Sequence, residues 1–120
     1  MKYLLIFTLL LILQKDSKHD YALLIGSWEQ KMYKGTPDTG IFTFHTDNTV
    51  TLEMKKGGTG EMLASADCPY SIDKKTDMLT IRMFGQDKKM AVLKLEPQML
   101  QLHLQEEGKE PQTFRRIGAK

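Results

Sequence analysis

The stretch "IFTFHTDNTVTLEM", residues 41–54, decides the fold. Phe42 and Phe44 alternate with polar neighbours ahead of Thr46-Asp47-Asn48, and Val50, Leu52 and Met54 alternate with Thr51 and Glu53 beyond it. A period of two puts each apolar set on one face of a strand, and the Asp-Asn pair between them favours a chain reversal. The stretch therefore reads as a β-hairpin with one buried face.

The same scheme repeats outward along the chain. In "CPYSIDKKTDMLTIRMF", residues 68–84, Cys68, Tyr70 and Ile72 alternate before a turn at 73–77, and Leu79, Ile81 and Met83 alternate after it. In "AVLKLEPQMLQLHLQ", residues 91–105, Ala91, Leu93 and Leu95 face Leu100, Leu102 and Leu104 across Glu96-Pro97-Gln98. A first strand over 28–33 and a last over 112–117 bring the total to eight, and no segment after residue 26 has a helical period. Eight antiparallel strands in sequence order can stay open, pair as a sandwich or close on themselves, and closure alone removes the edges that invite aggregation. The expectation is all-β, an eight-stranded antiparallel up-and-down barrel.

Connection lengths support closure. The first, third and seventh, residues 34–40, 56–67 and 107–111, are long, whereas the second, fourth and sixth, 46–48, 73–77 and 96–98, are tight. Odd connections of such a barrel share one end, so long loops ring one mouth and tight turns close the other. The fifth, "GQDK" at 85–88, is short and departs from the pattern.

Trp28, the sole tryptophan, begins the first strand and so falls at the tight-turn end, where an indole plugs a narrow barrel. Gly26 lets the chain turn into that strand without a side-chain clash. The last strand returns "TFRRIG" to the same floor, with Phe114 and Arg116 on one face and the guanidinium placed to cover the indole. Gly26-Ser27-Trp28, the run of hairpins and the closing Phe114-x-Arg116 resemble the small secreted bacterial lipocalin-like domains, calycin-type barrels, over residues 22–118. That resemblance implies a lipocalin-like fold, an arginine packed on the tryptophan, and a carrier or sensor role. A lipidatable cysteine after the leader, common in such domains, is not found in this sequence, and the chain is much shorter than lipocalins with large cavities.

Residues 1–19 read as a leader. One lysine precedes an apolar run over 3–13, long enough for an export signal but short of the roughly 20 residues of a membrane span. Processing is expected near Ser17 or His19, with an uncleaved apolar tail as the alternative. The barrel domain takes 20–120, secreted or periplasmic, with no stable transmembrane span.

Composition excludes several classes of function. Seventeen basic and fifteen acidic residues, spread along the chain, form no basic stripe for nucleic acid. Cys68 is the sole cysteine, so no intrachain disulfide forms and the thiol reads as a buried hydrophobe. His19, His45 and His103 have no metal-ligand spacing, and the latter two fall on outward faces. "GGTG" at 57–60 leads into neither a helix nor a Lys-Ser pair, and Asp38, Glu53 and Asp87 fall on loops or the outer face. The sequence points to no enzyme, no cofactor and no metal.

What remains is the open end, where Met32, Phe42, Met54, Cys68, Met83 and Leu104 face inward, with Tyr70 somewhat deeper. Flexible thioethers suit a site that moulds to hydrophobic guests, although methionine also fills gaps in small cores. Two functions follow: an extracytoplasmic binder of a small hydrophobic or amphipathic molecule, or a secreted interaction module, an inhibitor or accessory subunit, that meets a protein partner through the open-end loops with its barrel filled. Interior volume separates them.

Overall fold

A computed structural model describes residues 19–31 and 38–118 of the chain. Eight strands form a closed barrel in sequence order, β1 (Gly26–Lys31), β2 (Thr39–Phe44), β3 (Thr49–Lys55), β4 (Met62–Asp73), β5 (Met78–Met83), β6 (Gln86–Leu95), β7 (Met99–Leu104) and β8 (Gln112–Ile117). Every neighbouring pair is antiparallel, and β1 closes on β8 with Trp28 opposite Arg116. Up-and-down closure follows from eight alternating strands joined by short connections.

Register turns the alternation into layers. Gly26, Phe44, Val50 and Cys68 form one inward row across the first four strands. Trp28, Phe42, Leu52 and Ala66 form the next, and Gln30, Gly40, Met54 and Ala64 the row nearest the mouth. Outward rows are mainly polar, although Ile41, between Glu29 and Glu53, is buried: Ser27 Oγ meets Thr43 Oγ1 at 2.8 Å, and the Thr51 hydroxyl donates to Asp67 Oδ1 at 2.7 Å. The core lies toward the floor, where Trp28, Phe44, Val50, Leu79, Ile81, Leu100, Leu102 and Phe114 are all buried.

A 3-10 turn, Tyr21–Leu24, seals that floor. Asp20 caps it by accepting from Ala22 N at 3.1 Å, and Leu24 is fully buried. The Trp28 indole N–H donates to Leu24 O at 2.9 Å, so the one polar atom of the plug is satisfied from within. His19 Nε2 meets Val92 O at 3.1 Å and the Tyr21 hydroxyl donates to Asp77 Oδ1 at 2.8 Å, tying the turn to the β5–β6 side.

Four expectations are corrected. The third connection is 56–61 and not 56–67, because β4 starts at Met62 and runs for 12 residues. Small Ala64 and Ala66 carry its inward alternation, which an eye tuned to bulky apolar residues reads as loop. The fifth connection is 84–85 and not 85–88, with positive φ at both Phe84 (51°) and Gly85 (78°), the signature of a type I′ turn. Ala91, Leu93 and Leu95 do not share a face. Register shifts between Val92 and Lys94, so Met90 and Val92 point inward, Leu93 is the extra residue at 43% exposure, and Leu95 returns to the core. Finally, β1 starts at Gly26 and not at Trp28, while residues 32 and 33 of the expected strand lie outside the described residues.

Candidate functional site

The distinctive feature of the open end is a break in the ladder between β4 and β5. On its β3 side β4 is paired from Met62 through Pro69, but on its β5 side only Tyr70 through Asp73 are paired. Pro69 explains the stop. Tyr70 N–H donates to Asn48 O at 3.0 Å, so Tyr70 and the other even residues of β4 direct their backbone groups to β3. Odd residues then direct theirs to β5, and the first odd residue above the paired segment is a proline, which has no N–H to donate. The seam opens there and stays open to the mouth.

Behind the seam lies a cavity of about 340 Å³. Its walls are the two upper inward rows, Phe42, Leu52 and Ala66 below and Gly40, Met54 and Ala64 above, with Met83 and Phe84 on the β5 side and Glu53 and Ser65 at the margin. Three of the six wall positions in those rows are glycine or alanine, and their missing side-chain volume makes the space. The surface presented is almost wholly apolar.

The inward residues expected at the mouth divide. Phe42, Met54 and Met83 line the cavity. Met32 lies outside the described residues. Leu104 is half-buried and packs against the core without lining the cavity. Cys68 and Tyr70 are corrected: neither is near the mouth. Because β4 is longer than expected, Cys68 shares the floor row with Phe44 and Val50 and is only 6% exposed. Burial, helped by the charge of Asp67, pushes its thiol pKa up, which makes it a packing group and a poor nucleophile. Tyr70 donates its hydroxyl to His45 O at 3.1 Å beside the tight β2–β3 turn and stacks edge-on against Phe44. Burial and the charge of Asp47 push its phenol pKa up as well.

Leu52, inward in the sequence reading but not placed at the mouth, also lines the cavity, and Gly40, Ala64, Ala66 and Phe84 complete the site without having been singled out in the sequence. The signal for the alanines was present, since Ala64, Ala66 and Cys68 alternate in "ASADC", although the row does not extend to Met62, where the register shifts opposite Lys55. At the floor, Arg116 is stacked on Trp28, and Gly26 lies directly beneath the guanidinium.

Other polar groups are engaged at the surface. Asp38 accepts from Gly57 N at 3.0 Å, linking two open-end connections, and Arg82 pairs with Asp87 at 3.1 Å. His45 contacts Thr51 Oγ1 at 2.8 Å and is exposed, whereas His19 and His103 are half-buried against the Val92 and Lys109 carbonyls rather than freely solvated. Among the described residues, no group of three or more His, Cys, Asp or Glu is placed to hold a metal ion, and no helix is long and apolar enough to cross a membrane.

No family model matches the chain, and no curated protein matches it in sequence. In fold it is similar to a protein from Bacteroides uniformis ATCC 8492 whose structure was solved by NMR, with a TM-score of 0.61 and 15% identity over 88% of this chain and 99% of that one. At that identity the likeness is one of barrel architecture.

Proposed function

We propose that this protein is an extracytoplasmic, lipocalin-like binder of a small hydrophobic or amphipathic molecule held at the open end of the barrel. The observation that carries the reading is the apolar cavity of about 340 Å³ behind the β4–β5 seam. Its size is at the lower end for ligand pockets, the room of roughly ten waters. Water there meets almost no polar partner, so displacing it with an apolar guest is favourable. Each buried methylene contributes about 0.8 kcal/mol, so a chain of ten or so carbons contributes about 8 kcal/mol before the cost of association is subtracted. Micromolar affinity, about 8 kcal/mol net, therefore also needs polar contacts to the head group. The short apolar leader at 1–19 supports the extracytoplasmic placement.

The test is a titration of the purified domain with dansyl-labelled undecanoate, alongside native mass spectrometry of the protein recovered from its own cells. Saturable blue-shifted dansyl emission, or a retained small molecule, supports the reading. A probe that does not bind, together with a protein partner that co-purifies, replaces it with the interaction module.

A further inference from the structure

Phe84 is at odds with its own turn. Three described residues other than glycine have positive φ, namely Asn48, Asp77 and Phe84. Asn and Asp tolerate that conformation because their short polar side chains bond locally, but a bulky aromatic does not. The first position of a type I′ turn favours Asn, Asp or Gly. Phe84 is also 91% exposed, so packing does not compensate for the strain. A residue that serves neither its turn nor the core, and that stands on the lip of an apolar cavity, points to a role in binding.

The opposite lip is the free edge of β4. Extending the β4–β5 register beyond Tyr70 opposite Ile81 would set Met83 against Cys68 and Phe84 against Asp67. The ladder stops short of those pairs, so Ser65 and Asp67 present their backbone N–H and C=O groups toward the seam with no strand of the barrel paired to them there. One side of the seam thus offers hydrogen-bonding backbone, the other an aromatic ring, and the cavity behind it is apolar.

Resting on the binder reading above, we propose that the seam between β4 and β5 is a lateral portal for an elongated amphiphile. The tail lies in the cavity against Met54 and Met83, Phe84 folds over it as the outer wall, and a head group bearing hydrogen-bond acceptors stays at the seam on the N–H groups of Ser65 and Asp67. The ligand class is a single-chain acyl or alkyl compound with an acceptor head, a fatty acid or fatty alcohol in its simplest form. A cationic head with no acceptor fits less well.

Phe84→Asn separates fold from binding, because asparagine suits positive φ and removes the ring. The expected result is a melting temperature equal to or above that of the wild type, with affinity for dansyl-labelled undecanoate reduced at least fivefold and a faster off-rate. Displacement of the same probe, below micelle-forming concentrations, is expected at least fivefold more readily with dodecanoate than with dodecyltrimethylammonium. Unchanged affinity in Phe84→Asn overturns the role of the ring while leaving the cavity as a binding site. Equal displacement by the two amphiphiles overturns the head-group assignment. A wild-type protein that binds no probe overturns the binder reading and the portal with it.

Discussion

The guanidinium carbon of Arg116 lies 4.2 Å from the centroid of the Trp28 ring, across the β1–β8 closure where the two residues are register partners. Its nitrogens also donate to Pro97 O at 2.6 Å, to Ile25 O at 3.0 Å and to Leu23 O. One side chain thus covers the plug, the segment that leads into β1 and the β6–β7 turn. Arg116→Lys keeps the charge but not the planar fork that reaches three carbonyls at once. With hydrogen bonds to a charged group worth about 1.5 to 3 kcal/mol each and the ring contact about 0.5 to 2 kcal/mol, a loss of at least about 2 kcal/mol is expected in urea unfolding. Trp28→Ala should cost about 3 to 5 kcal/mol. Equal midpoints for Arg116→Lys and wild type would mean the strap is ornamental.

Gly26 is required by the same arrangement. Its φ is 128°, and a Cβ there would stand 2.4 Å from Arg116 Nη1. Gly26→Ala must therefore both strain the backbone and displace the guanidinium. The two substitutions share one mechanism, so a double-mutant cycle of Gly26→Ala with Arg116→Lys should be clearly non-additive. Additive losses would separate the glycine from the arginine.

The β6 bulge gives a sharper contrast. Leu93 is the displaced residue, while Leu102, opposite Val92, is fully buried. Leu93→Ala should fall within about 0.5 kcal/mol of wild type, and Leu102→Ala should cost about 2 to 5 kcal/mol. Thermal unfolding of the two variants checks the bulge directly, since an unbroken alternation through Ala91, Leu93 and Leu95 would make both costly.

That bulge also marks where the sequence stops being legible. The barrel, its order and its floor could be read because bulky residues at a period of two, as in Phe42, Phe44, Val50 and Leu52, leave little choice of face. A one-residue insertion changes parity without changing composition, so nothing in "MAVLKL" announces that Leu93 is turned out. The site was less legible for a related reason. The cavity is made by what is small, Gly40, Ala64 and Ala66, whereas pattern reading follows what is large. Misjudging the start of β4 then carried Cys68 and Tyr70 toward the mouth, when register puts them at the floor and the tight turn.

Cys68 supplies a reporter for that register. Buried in the floor row with a raised pKa, it should react with a thiol reagent such as dithionitrobenzoate at pH 8 only through opening of the barrel. Protection of at least about a hundredfold over the urea-unfolded chain is expected, the value for an opening free energy of only about 3 kcal/mol. Native labelling at the unfolded rate would place the thiol at the surface and undo the row assignment.

The cavity itself is tested by filling it. Ala66 faces Leu52 in the second inward row and lines the space, so a leucine there projects into volume that the fold leaves unused. Small-to-large changes in a packed core cost about 1 to 3 kcal/mol, but at a true cavity the added methyl groups gain contacts instead. Ala66→Leu is therefore expected to melt at or above the wild-type temperature while weakening dansyl-labelled undecanoate at least tenfold. Met54→Lys should weaken the probe similarly by placing a charge beside the tail, with the Trp28 emission unchanged because the floor is a separate row. His103→Gln, on the outward side opposite Ala91, serves as the control and should bind as the wild type does. A destabilised Ala66→Leu with undiminished affinity would show that the space behind the seam is packed in solution and that any guest sits elsewhere.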